Sequence, residues 1–180
     1  KGVLFDTSNF FSSMRLDGGY WMPMVFAWIP LVVAICVSFS YQLLFQNILP
    51  ALHENISLWF MLPVALLISL FAPIGMFIAA AFGHLMLLLV GGAKQPFQAT
   101  FRVLCYTWGA TSLFLLIPFC GGLINGIWFM VAEIIGLSRA HGISTGRSVF
   151  AVLLPMFICC AAGIIVFFLV VGIMAMKGLQ

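Results

Sequence analysis

Four polar side chains lie inside long apolar runs of this sequence: His84, Tyr106, Asn125 and Glu133. Glu133 is one of only 4 acids in 180 residues. A carboxyl group placed in hydrocarbon is costly, so it must face protein, water or a partner. His84 lies seven residues before Gly91, Glu133 six before Arg139, and Tyr106 seven after Ala99. With a helical rise of about 1.5 Å per residue, all three sit roughly 9–11 Å inside one membrane boundary. Asn125, Phe129 and Glu133 follow at i, i+4 and i+8, so Asn125 shares the Glu133 face at greater depth. Such a layer is suited to a proton, an ion, a lipid headgroup or a small solute. It is also suited to a hydrogen-bonded cluster that fixes helix packing, since buried polar groups must be paired. The sequence leaves both readings open.

Other chemistry finds little support. A metal site needs three or four ligands, and no spacing of His, Cys, Asp or Glu supplies them. The expectation is no metal and no cofactor. No G-x-S-x-G, H-E-x-x-H, P-loop or paired-carboxylate pattern occurs, so no enzymatic activity is expected. The five cysteines (Cys36, Cys105, Cys120, Cys159, Cys160) form no C-x-x-C pair and read as packed or lipid-facing thiols. The net charge of +3 comes from few residues, so nucleic acid is not an expected partner. Lys94, Arg102, Arg139, His141 and Arg147 instead form a sparse basic surface at one membrane face, suited to anionic headgroups or a docking partner.

The elements that must position these groups are membrane helices. Hydrophobic residues are 64% of the chain, charged residues 6%, and the mean hydropathy is +1.25. A chain so poor in charge cannot cover a water-facing surface. The expected fold is all-α: a polytopic membrane helical bundle of five transmembrane helices with a short N-terminal interfacial helix. Residues 1–21 form the N-terminal segment, with cap-type residues Asp6–Asn9 and with Phe10, Phe11 and Met14 in the headgroup layer. No cleavable signal pattern is read there. Residues 22–180 form the membrane domain. Its spans fall at about 22–45, 58–90, 99–119, 123–137 and 147–176. The second is long enough to tilt or kink, at Pro63 and Pro73. The loop between the first two spans carries His53, Glu54 and the glycosylation-type triplet Asn55-Ile56-Ser57. Gly75, Ala79 and Gly83 repeat at four-residue spacing and predict close helix contact, as do Gly122 and Gly126.

Five spans place Lys1, Arg15, Lys94, Arg102, Arg139 and Arg147 on one side and Lys177 alone on the other. The positive-inside rule makes the N-terminus cytoplasmic and the C-terminus opposite.

The order of the pieces resembles the Yip domain family of Ypt/Rab-interacting membrane proteins. The resemblance rests on NFFSSM before an aromatic-flanked first span, on AAFGHLMLLLVGGAKQPFQATFRVLCY, and on IWFMVAEIIGLSRAHGISTGRSVFAVLLP. It implies a multispan domain that associates with other membrane proteins, and names no reaction. Family members from eukaryotes carry a longer polar N-terminal region, so a prokaryotic-type member in the cytoplasmic (inner) membrane is expected; a eukaryotic one would be endomembrane. The partners expected are the lipid bilayer and other membrane subunits, or a second copy. The first functional reading is a non-enzymatic partner, assembly or organising subunit. The alternative is a small transporter or lipid-handling protein using a polar pocket at His84 and Glu133.

Overall fold

The structure is a computed structural model and describes residues 2–48 and 58–177. His53, Glu54 and the Asn55-Ile56-Ser57 triplet lie outside the described residues. All the described regular elements are helical. In chain order they are α1 (Gly2–Phe5), α2 (Thr7–Ser13), α3 (Trp21–Ile48), α4 (Leu58–Leu89), α5 (Phe97–Thr111) with a 3-10 turn at Ser112–Leu116, α6 (Gly121–His141) and α7 (Thr145–Lys177). Among the described residues, Trp21–Leu44, Phe60–Leu89 and Gly121–His141 are long and apolar enough to cross a membrane. The chain is therefore an integral membrane protein. Large apolar side chains such as Leu66, Leu70 and Ile78 are exposed, as expected for a surface solvated by lipid.

Helix ends follow the local sequence. Gly142 leaves α6 in the left-handed conformation, φ 60°, which glycine adopts without a Cβ penalty. Its N–H and that of Ile143 both reach the Ser138 carbonyl, and Ser138 Oγ donates back to the Ile143 carbonyl at 2.7 Å. At the end of α4, Gly91 takes φ 65° and the Gly92 N–H donates to the Leu87 carbonyl at 2.7 Å. These two turns meet: Lys94 Nζ is 3.4 Å from the Gly142 carbonyl.

α4 runs unbroken through Pro63 and Pro73, and α7 runs through Pro155. α6 is longer than the expected 123–137 span and includes Arg139 and His141 in its last turn. α5 is shorter than expected and stops before Pro118. The chain tightens to 3-10 geometry and then turns at Phe119, whose φ is +63°.

The N-terminal segment corrects one expectation. Phe11 does not face headgroups but is buried, 1% exposed, in a core with Val103, Leu137 and Ala140. Gly136 makes room for it: a Cβ there would stand 2.6 Å from Val103 Cγ1 and 3.1 Å from Phe11 Cε2. Ala132, Gly136 and Ala140 form a buried small-residue stripe on α6. The helices meet closely along this stripe, whereas a Cβ at Gly75, Gly122 or Gly126 would have nothing within 4 Å. Gly83 is intermediate, its Cβ falling 3.8 Å from Leu104 and 3.9 Å from Thr100. At Gly109 the α3 backbone comes so near that a Cβ would stand 2.6 Å from the Phe26 carbonyl oxygen.

Candidate functional site: polar groups inside the bundle

The buried polar centre is built by α4, α5 and α6. His84 Nδ1 lies 2.8 Å from Thr100 Oγ1, and the same oxygen lies 3.0 Å from His141 Nε2. The Gln95 N–H donates to His141 Nδ1 at 3.2 Å. A backbone N–H can only donate, so His141 Nδ1 accepts and a neutral His141 carries its proton on Nε2. That proton goes to Thr100 Oγ1, which in turn donates its own to His84 Nδ1. One hydroxyl thereby serves both rings, and each step fixes the tautomer of the next. The ring centroids are 6.0 Å apart.

His141 is thus no part of an exposed basic surface, being 1% exposed and held on both ring nitrogens. Its place follows from α6 extending one turn past the expected end. Arg102 is likewise no surface cation. It is 6% exposed, and its guanidinium donates to the carbonyls of Arg15 and Gly19, tying the N-terminal segment to α5. Its Nε is buried without a partner. Lys94, Arg139 and Arg147 are exposed. Arg15 pairs with Asp17 at 3.7 Å with both side chains exposed, a contact of little energetic weight.

The structure does not bring His84, Tyr106 and Glu133 together. Equal depth sets height along a helix but not the side that faces inward. The Tyr106 ring packs on Phe10 and Phe26, with centroids at 5.6 and 5.3 Å, beside Arg102. Asn125 borders a separate cavity of about 340 Å³ with Gly75, Trp108 and Ser112, and its Oδ1 is buried without a hydrogen-bond partner. Glu133 borders a third space, of about 210 Å³, between α4, α5, α6 and α7. Among the described residues it makes no hydrogen bond or ion pair. The alternative pocket shared by His84 and Glu133 therefore separates into two sites.

Thr100 is absent from the residues singled out in the sequence, yet it stands at this centre. Counting from the expected boundary puts Thr100 one residue inside it and His84 seven, so the count gives no signal for this pairing. Among the described residues no three His, Cys, Asp or Glu side chains cluster as metal ligands would. Cys36, Cys105, Cys120 and Cys160 are free thiols.

No curated protein matches the chain, and no solved structure does. A family model described as the Yip1 domain matches residues 1–175. That match spans the docked N-terminal segment and the helices that build the polar centre, and so the chain belongs to the Yip1 domain family.

Proposed function

We propose that this chain is a five-span, non-enzymatic membrane protein that serves as a partner, assembly or organising subunit in a membrane complex. Its N-terminus is cytoplasmic. α5 alone, about 22 Å long, falls short of a bilayer core of about 30 Å, but with its 3-10 turn it reaches roughly 32 Å. α7, 33 residues long, is ample. The contacts from Lys94 to Gly142 and from Arg102 to Arg15 and Gly19 gather the N-terminal segment and two interhelical loops at one end. That end carries Arg15, Lys94, Arg102, Arg139 and Arg147, which supports its cytoplasmic placement.

The observation that carries the partner role is the open glycine face of α6. Nothing lies within 4 Å of a Cβ at Gly122 or Gly126, and Leu123 and Ile127 beside them are exposed. Small residues at four-residue spacing let a second helix approach closely, and none of the described helices does so there. The test is crosslinking in native membranes followed by purification in mild detergent, comparing the wild type with Gly122→Leu/Gly126→Leu. We expect the variant to keep the wild-type unfolding temperature and to lose its crosslinked product. Unchanged crosslinking would overturn this reading.

A further inference from the structure

The cavity beside Glu133 has an unusual chemical make-up. Among the described residues that line it, Glu133 carries the one ionisable side chain. Glu133 contributes its carboxyl group, without a partner among the described residues. Ala151 is a lining residue on α7 and carries a backbone carbonyl. Residue 155 would ordinarily donate to that carbonyl, but Pro155 has no N–H, so the carbonyl loses its helical donor. Ala151 and Pro155 both line the cavity. The other wall is aromatic: Phe82, Trp108 and Phe129. The Trp108 and Phe129 rings lie 6.0 Å apart at an interplanar angle of 32°.

A carboxyl group set among aromatic side chains forms the environment that attracts an organic cation. A carboxylate offers opposite charge, and ring faces attract an ammonium through their quadrupole. The space is smaller than the roughly 300–1,000 Å³ of a drug-sized ligand site, so it suits a head of a few heavy atoms. Neither a nucleotide nor a sugar matches walls with so few polar groups. A bare metal ion would find too few oxygens for the six or more ligands a hard cation takes.

We infer that the Glu133 cavity is a binding site for an organic ammonium group, seated between the carboxyl of Glu133 and the rings of Trp108 and Phe129. Lipid headgroups and free amines both carry this chemistry. The site is independent of the partner role drawn from the α6 glycine face. Its polar atoms also lie apart from the His84–Thr100–His141 network, whose donors and acceptors are already engaged with one another.

The test uses the full chain purified in an uncharged maltoside detergent. Hexylammonium chloride is titrated into wild type, Glu133→Gln and Phe129→Leu, with binding read by calorimetry. Hexanol, the same hydrocarbon without the charge, is the control. We expect saturable binding of hexylammonium by the wild type, weakened at least about tenfold in Glu133→Gln. Phe129→Leu keeps the apolar wall but removes a ring face, and it should weaken binding several-fold. Hexanol should not saturate the site. The source is then read in nanodiscs. Competition by phosphatidylethanolamine but not by phosphatidylglycerol assigns the site to a lipid headgroup, and undiminished hexylammonium binding in both assigns it to a free amine. Equal binding by wild type and both variants, equal binding of hexylammonium and hexanol, or no saturable binding by folded wild type overturns the proposal.

Discussion

His84 on α4 and His141 on α6 are joined through a single side-chain oxygen, Thr100 Oγ1, at 2.8 and 3.0 Å. Three helices are thereby tied at one point by a residue of the central helix that is fully buried. Hydrogen bonds among buried neutral groups contribute modestly when made, but leaving such groups unpaired is expensive. Thr100→Val keeps the shape of the side chain and removes the hydroxyl. We expect it to destabilise the protein by about 1–3 kcal/mol, because His141 Nε2–H loses its acceptor and His84 Nδ1 its donor. Thr100→Ser keeps the hydroxyl and should lose less. Thermal unfolding in detergent, followed by size-exclusion chromatography, checks both, and a Thr100→Val protein as stable as wild type would mean the contacts carry no weight.

Glycines should divide sharply by position. Gly136→Ala places a Cβ 2.6 Å from Val103 Cγ1 and close to Phe11, and Gly109→Ala places one 2.6 Å from the Phe26 carbonyl oxygen. Overpacking of this kind costs about 1–3 kcal/mol. Gly109→Ala should be the worse, because the obstacle is backbone rather than a side chain that can turn. Gly122→Ala and Gly126→Ala should be neutral or slightly stabilising in isolated protein, as alanine favours helix and meets nothing. The same unfolding assay separates the two classes.

The helical, membrane-embedded character of the chain was legible because hydropathy needs no tertiary information. The polar centre was not, and the reason is geometric. Depth follows from counting residues from a boundary, but the side a residue faces depends on how each helix is rotated. Thr100 and Tyr106 are six residues apart, which is roughly 240° around α5 and about 9 Å along it, so both the height and the side of the meeting point differ from the counted layer. Thr100 therefore meets His84 and His141 while Tyr106 turns to Phe10 and Phe26. The basic residues misled for a related reason. Arg102 and His141 sit at helix ends, where charge suggests solvent, yet backbone groups of neighbouring segments cover both. The buried small-residue stripe of α6 was readable in principle: Ala132, Gly136 and Ala140 share the four-residue spacing that drew attention to Gly75, Ala79 and Gly83. Spacing alone does not say which stripe faces a neighbour within the chain.

Arg102 should prove to be the tether of the N-terminal segment. Its guanidinium reaches two carbonyls from one buried position, a geometry that the single ammonium of lysine does not reproduce. Hydrogen bonds from a charged donor contribute about 1.5–3 kcal/mol. Arg102→Lys should loosen the Arg15–Gly19 stretch and raise its cleavage rate in limited proteolysis, while leaving the helices beyond it intact. Unchanged cleavage between Arg15 and Gly19 would show that the core contacts of Phe11 suffice to hold the segment.

The crossing of α5 is the step on which the five-span reading turns. Lys94 precedes this helix and Cys120 follows its 3-10 turn, and both residues are exposed. If the helix and turn together traverse the bilayer, these two positions face opposite compartments. The test compares two variants of the full chain. One has every cysteine replaced except Cys120; the other has all five replaced and carries Lys94→Cys. A membrane-impermeant maleimide should label Cys120 in intact cells or spheroplasts, and should label position 94 only after the membrane is opened. Labelling of both positions from one side would mean that α5 enters and leaves by the same face. Arg102, near the base of the expected crossing, makes that outcome worth testing directly. A buried arginine whose two terminal nitrogens reach backbone carbonyls is compatible with a full crossing only because the N-terminal segment comes down to meet it. The labelling pattern should therefore survive in Arg102→Lys if that segment stays docked through Phe11, and weaken if the arginine contacts are what hold α5 in place.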